Sequence, residues 1–165
     1  IDTVMALVAG KRLFTKLPVF VILYPTIKQE DMDPGKRQVP FADKLMILTL
    51  YTESHFNAAH KLNEYQGKCA HLHGHSWKVS VWVQGNEEQL KPNGILWDFT
   101  TIKEITNHLD HSYLNEILDN NPTAEHISLY IYRQLKGEDP DLLFKVRVYE
   151  STLPKESYCE LGDFT

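Results

Sequence analysis

Two cysteines, Cys69 and Cys159, are too few in a chain of 165 residues to staple a secreted disulfide scaffold. A reducing cytoplasm is the expected setting. No apolar run approaches the roughly 20 residues that a bilayer-spanning helix needs. The longest near the start, Leu17 to Tyr24, is broken by Pro18. Lys11, Arg12 and Lys16 precede it, but no small-residue cleavage site follows, which argues against a secretion signal. Positive charge is not in excess either. A formal net charge of -5 excludes the electrostatic footprint of a general nucleic-acid binder. There is no internal repeat and no low-complexity tract. A hydrophobic content of 42% and a charged content of 24% place the chain with ordinary soluble globular proteins. Its length suits one domain with a substantial core.

The charge is unevenly spread. Residues 1–45 carry about +2 and residues 46–165 about -7. The first stretch has no clean periodicity, and Gln29 to Pro40 is a polar, proline-containing segment of linker type. Residues 1–45 are therefore set apart as an unassigned N-terminal extension, with the functional domain expected over residues 46–165. Three origins for the extension stay open: a native extension, an upstream fragment, or translated sequence ahead of a start at Met46. The last two are favoured together.

From Met46 the patterns sharpen. Met46 to Ala58 is rich in β-formers and reads as a strand. In Gly74 to Gln84, Trp77, Val79, Val81 and Val83 share one face while Lys78, Ser80 and Trp82 share the other, the alternation of a strand. Asp98 or Thr100 can cap a helix to about His108, with Ile102, Ile105 and Leu109 on its apolar face. Tyr113 to Leu118 reads as a short continuation. Thr123 can cap a second helix whose apolar face is Ile127, Tyr130, Ile131 and Leu135, with Gly137 as its stop. Phe144 to Glu150 alternates as a strand, and Ser157 to Leu161 is a last short one. The order β-β-α-α-β-β predicts an α+β fold, a four-stranded antiparallel sheet with two helices on one face. The other face and the sheet edges need partners, so oligomerisation is expected.

The segment Cys69-Ala-His-Leu-His73-Gly-His75 carries the most chemical information. His73 and His75 are two apart at the start of a strand, so their side chains point the same way. His60 ends the preceding strand, and a hairpin over residues 61–72 would bring it across to the pair. Three neutral imidazoles with an open fourth position form a catalytic zinc arrangement, where a structural site would be closed. The bland alternative is a set of surface loop histidines. His71 is expected to be solvent-exposed, and His55 structural or pocket-lining.

Beside a metal and imidazoles, Cys69 would gain thiolate character and could act as base or nucleophile; a small buried residue is the alternative. Cys159, with no partner motif, reads as structural. Asp110-His111 follows the first helix. A relay from adjacent residues needs a break in the helix there, and without one the pair is a solvated cap. Glu150 ends its strand, where a carboxylate could accept two N–H bonds from a flat guanidine-like edge or could simply be exposed.

FNAAH, GKCAHLHGHSWKV, GILWDFTTIKE, LDH, NPTAEH and VYES stand in that order along the chain. Together they resemble the 6-pyruvoyltetrahydropterin synthase family, from about Met46 to the C-terminus. The three residues between Cys69 and His73 look like the bacterial branch, 6-carboxy-5,6,7,8-tetrahydropterin synthase of queuosine biosynthesis. The resemblance implies zinc on His60, His73 and His75, Cys69 as catalytic base, and His111 with Asp110 as proton relay. It further implies Glu150 as pterin anchor and relay member, and Thr123 and Glu125 near the pterin pocket. Asp98 matches a family signature and is read as structural. Trp97 stands where a smaller apolar residue is usual. The implied fold is the tunnelling fold, a homo-hexamer of two stacked trimers with pockets at subunit interfaces. The implied substrate is 7,8-dihydroneopterin triphosphate; the products are 6-carboxytetrahydropterin, acetaldehyde and triphosphate. Alternatives are triphosphate elimination without carbon–carbon cleavage and a non-enzymatic, zinc-stabilised binding module. A folate-directed branch commonly has Glu in place of the loop cysteine, so Cys69 argues against it.

Overall fold

The computed structural model describes residues 6–8, 11–13 and 45–165. The chain divides into two compact units, Ile1–Pro40 and Phe41–Thr165. In the first, strands β1 (Ala6–Val8) and β2 (Lys11–Leu13) pair antiparallel. The apolar run at 17–24 and the linker at 29–40 lie outside the described residues. Among the described residues, no helix is long and apolar enough to cross a membrane.

The second unit is an α+β fold. Its elements are β3 (Ile47–His60), β4 (His73–Asn86), α1 (Thr100–Leu109), β5 (Ser112–Tyr113), α2 (Ala124–Glu138), β6 (Leu143–Ser151) and β7 (Ser157–Gly162). They build a sheet in the order β5-β3-β4-β6-β7. The four long strands pair antiparallel, as the alternating patterns predict. Strand β5 is an addition. It runs parallel to β3, pairing Ala58 with Ser112 and Ala59 with Tyr113, so the sheet has five strands and is mixed. Two residues are too few to show periodicity, and their pairing is made by backbone groups alone.

One sheet face holds the core. Phe56 on β3, Trp77, Val79, Val81 and Val83 on β4, and Phe144, Val146 and Val148 on β6 are all buried. Each such aliphatic side chain contributes about 1.5–3 kcal/mol on full burial. Ile102 and Leu109 of α1 and Ile127, Ile131 and Leu135 of α2 complete that core. A buried hydroxyl pair, Ser54 with Thr106 at 2.7 Å, ties β3 to α1. Thr106 Oγ1 also donates to the Ile102 carbonyl at 3.0 Å, so it is the loss of Thr106 that would leave a buried hydroxyl, that of Ser54, unpaired, at about 1–3 kcal/mol. Trp97 is buried, with its ring edge-to-face against Phe99 and Phe144. The opposite sheet face is polar and aromatic. Lys145 lies over Trp82 and Arg147 over Tyr158, and Tyr51 and Tyr158 are each 49% exposed.

The helix ends follow local chemistry. Asp98 accepts from the Thr100 amide and hydroxyl, both at 2.9 Å, and so holds the start of α1. Thr123 caps α2 by accepting from the His126 amide at 3.4 Å. Gly137 does not stop α2, which continues to Glu138. The Asp139 amide still donates to the Leu135 carbonyl, and Lys136 Nζ donates to the carbonyls of Pro140 and Leu142. Pro140 is the better stop signal, because a proline disfavours helical geometry in the residue before it. Tyr113 to Leu118 is not a helical continuation of α1. It is the short strand β5 followed by a 3-10 turn over Leu114–Glu116.

Candidate active site

The β3–β4 pairing sets His60 directly opposite His73 at the end of the ladder. His75, two residues further along β4, shares the face of His73. The ring centroids of His60, His73 and His75 lie 4.5–5.1 Å apart. One ring nitrogen from each falls within 4.8 Å of the other two. Trp77 forms the floor, its indole edge-on to His60 at 5.2 Å and to His75 at 5.3 Å.

Backbone carbonyls fix the rings. His60 Nδ1 donates to the Pro122 carbonyl at 2.7 Å, and His73 Nδ1 donates to the His71 carbonyl at 2.8 Å. A carbonyl only accepts, so in each neutral ring Nδ1 carries the proton and Nε2 keeps its lone pair. This is how metal-binding histidines are oriented. His60 Nε2 and His75 Nε2 are buried and have no hydrogen-bond partner. A divalent cation satisfies both, so the three residues fit zinc. His71 is exposed and contributes its carbonyl rather than its ring; His55 is also exposed.

Burial pushes the His60 and His75 pKa values below the ordinary imidazole range, chiefly by penalising the charged ring. Both rings therefore prefer the neutral, metal-ready form. The same shift gives a stability prediction for the zinc-free protein. The unfolded chain takes up protons below the ordinary histidine pKa of about 6.5, where the folded site resists them. Stability from these groups is complete above about pH 6.5 and declines as the pH falls toward the lowered folded-state values. Thermal unfolding of zinc-free protein from about pH 8 to about pH 5 should show a falling midpoint, and His60→Gln should flatten the acid limb.

Glu150 completes this cluster. It lies one residue past the last β4–β6 pair, on the same alternating face as Val146 and Val148. Its Oε1 stands 3.7 Å from both His60 Nε2 and His75 Nε2. The sequence reading missed this contact. The parity of β6 puts Glu150 on the core face, and the β4–β6 register brings it to the imidazoles.

Asp110 and His111 occupy the break that a relay requires. Helix α1 stops at Leu109, Asp110 is extended, and His111 takes a φ of 53°. Such a conformation in a non-glycine residue costs on the order of 1–3 kcal/mol and persists only when its surroundings impose it. Asn57 imposes it here. Its carbonyl accepts from the His111 amide at 2.7 Å, and its amide donates to Asp110 Oδ1, also at 2.7 Å. Those two bonds straddle the β3–β5 junction. Asp110 Oδ2 contacts His111 Nδ1 at 2.8 Å, while the His111 side chain is 81% exposed. The Asn57 amide bond is the first cause of a lowered Asp110 pKa, with the His111 contact adding to it. His111 and His75 line one cleft of about 510 Å³, together with Asn57, Gly74, Ser76 and Ser112.

Cys69 sits half-buried in the 3-10 turn Lys68–Ala70. Its carbonyl accepts from the Leu62 amide at 2.8 Å. Two asparagines hold the other edge of that stretch. Asn115 accepts from the Lys61 amide and donates to the Lys61 carbonyl, and Asn121 treats Asn63 the same way, all at 2.8–3.0 Å. Each side-chain amide stands in for a neighbouring strand. The chain after His60 is thereby fixed between Cys69 and the α2 entrance. Cys69 is not one of the three clustered ligands. Thr123 serves as helix cap. Glu125 is exposed, with its carboxyl held below the usual range first by a hydrogen bond from Thr123. The segment's link to the imidazole cluster runs through the Pro122 carbonyl. Cys159 lies on β7, half-buried, and burial raises its thiol pKa.

Known proteins resemble this chain over most of its second unit. The family model for 6-pyruvoyl tetrahydropterin synthase matches residues 49–160. A 6-carboxy-5,6,7,8-tetrahydropterin synthase of Synechocystis is 35% identical over 117 residues, covering 66% of this chain and 91% of the relative. The Bacillus subtilis protein of the same name is 31% identical over 122 residues, covering 67% and 82%. Among solved structures, a Caenorhabditis elegans 6-pyruvoyl tetrahydropterin synthase matches with a TM-score of 0.57 at 23% identity. That match covers 73% of this chain and 98% of the other, and the likeness is one of fold.

Proposed function

Because this chain belongs to the 6-pyruvoyl tetrahydropterin synthase family, we propose that it is a zinc-dependent carbon–carbon lyase acting on 7,8-dihydroneopterin triphosphate. Its products are 6-carboxy-5,6,7,8-tetrahydropterin, acetaldehyde and triphosphate, formed in the cytoplasm on the route to queuosine. The observation that carries this reading is the convergence of His60, His73 and His75 on one point, with two buried nitrogens lacking any partner. The names of the Synechocystis and Bacillus relatives, and the three-residue gap between Cys69 and His73, support the carboxy-forming branch.

Zinc, when bound, supplies Lewis acidity toward oxygen. The remaining work falls to the chain. Cys69 removes a proton from the substrate side chain. Asp110 holds His111 Nδ1, which leaves the opposite nitrogen directed outward to exchange a proton. Glu150 accepts N–H bonds from the pterin edge and holds the ring in register. The reaction needs no external oxidant, because the side-chain carbon next to the ring is oxidised to carboxyl as the ring gains two electrons. Water supplies the carboxyl oxygen. The polar, aromatic sheet face and the edges at β5 and β7 are the surfaces through which copies would join as a dimer of trimers.

Product identification tests the reading. Zinc-loaded protein given 7,8-dihydroneopterin triphosphate should yield acetaldehyde and 6-carboxytetrahydropterin by mass spectrometry, in equal amounts. Triphosphate release without acetaldehyde would assign the pyruvoyl-forming reaction instead. No turnover with zinc firmly bound would favour a binding module.

A further inference from the structure

The position of Glu150 poses a chemical problem. His60 Nε2 is a lone-pair acceptor, because its Nδ1–H is committed to the Pro122 carbonyl. His75 Nε2 is buried and has no hydrogen-bond partner. Yet a carboxylate oxygen, also an acceptor, stands 3.7 Å from each. Two acceptor atoms, His60 Nε2 and a Glu150 oxygen, therefore face one another with no proton between them, and the buried His75 Nε2 stands beside them unpaired. The separations are too long for hydrogen bonds. They are close to the spacing of atoms around one tetrahedral zinc, about 3.3 Å for ligands at about 2.0–2.1 Å.

We propose that, in the substrate-free protein, the Glu150 carboxylate is the fourth protein ligand of the zinc held by His60, His73 and His75, and that a pterin ring opens the site by drawing it away. The proposal rests on the reading of Glu150 as ring anchor and adds a second, earlier role for the same side chain. The carboxyl is 36% exposed at the edge of the cluster, so it has room to leave. Its three side-chain torsions allow the oxygen to close on the metal or swing out without moving β6. The two roles exclude each other. Ring binding and an open metal position therefore arrive together, and water is kept off the metal until substrate is seated. A purely structural zinc site would keep its fourth ligand under all conditions. A displaceable carboxylate separates the two cases.

Cobalt(II) in place of zinc gives a visible spectrum sensitive to ligand number, independent of turnover. Three measurements on the full chain decide the matter. Glu150→Gln should bind zinc about tenfold or more weakly in a chelator competition. The cobalt form of that variant should bind thiocyanate about tenfold more tightly than the native protein, since an exchangeable position has replaced a carboxylate. Unsubstituted pterin, which has no side chain to reach the metal, should shift the native cobalt spectrum toward that of E150Q. Equal zinc and thiocyanate affinities in the two proteins would overturn the proposal, with far-ultraviolet circular dichroism showing that E150Q is folded. Pterin binding, followed by its own fluorescence, keeps the two ideas apart. If the ring does not bind, the ring-anchor reading fails while the zinc and thiocyanate results still judge the fourth ligand. If it binds without changing the cobalt spectrum, the displacement is wrong.

Discussion

Cys69→Ala should leave zinc bound and the fold intact while lowering turnover at least about 100-fold, the range lost with a general base. The argument is local. The turn that carries Cys69 is held by backbone, through the Leu62 amide on its carbonyl, and by the asparagine clamps on Lys61 and Asn63. None of these bonds uses the sulfur. Truncation removes one atom from a half-buried site and creates no large cavity. The imidazole cluster contains no atom of Cys69, so metal content should stay at that of the native protein. Steady-state kinetics with a zinc assay on the same preparation checks both halves. Near-native turnover would remove Cys69 from the mechanism. Loss of zinc would instead make the sulfur a ligand.

His60→Ala should do the reverse and strike the metal first. His60 is fully buried, touches both other imidazoles and Trp77, and anchors to the Pro122 carbonyl. Two imidazoles would remain. Loss of an outer-sphere partner alone costs 10–100-fold in metal affinity, so loss of the ligand itself should exceed about 100-fold. Stability should fall as well. The truncation leaves a cavity beside Trp77 and an unpaired buried carbonyl, together worth about 2–4 kcal/mol. Chelator competition gives the first quantity and urea unfolding of the zinc-free proteins gives the second. His71 cannot substitute, because it is exposed and already lends its carbonyl to His73.

Much of this site was legible before the structure. Alternation in WKVSVWV set the buried face of β4, and that same parity put His73 and His75 on one side. A strand ending in His60 and a loop of fixed length were enough to bring the third imidazole across. Capping by Thr123 was equally plain, because a hydroxyl before a helical pattern has few other uses. The failures share a cause. Strand β5 is joined by backbone groups, and the asparagine clamps and the Asn57 hold on the Asp110-His111 turn add bonds from backbone to side chain, in every case between positions far apart in sequence. Nothing in the local pattern of Asn115 or Asn121 records that they mimic a strand. Glu150 was a different kind of miss. Its face could be read from Phe144, Val146 and Val148, but its nearness to His60 and His75 depends on the β4–β6 register, which periodicity within one strand does not fix. Gly137 misled because intrinsic helix propensity is weak, about 1 kcal/mol, against side-chain and backbone bonds that extend α2 to Glu138.

The central claim is that His60, His73 and His75 hold one zinc ion. X-ray absorption at the zinc edge, on protein loaded with one equivalent and no substrate, tests it most directly. The expected result is one zinc per chain in a nitrogen and oxygen shell at about 2.0–2.2 Å, with the scattering signature of three imidazoles. A sulfur shell at about 2.3 Å, or fewer than three imidazoles, would contradict it.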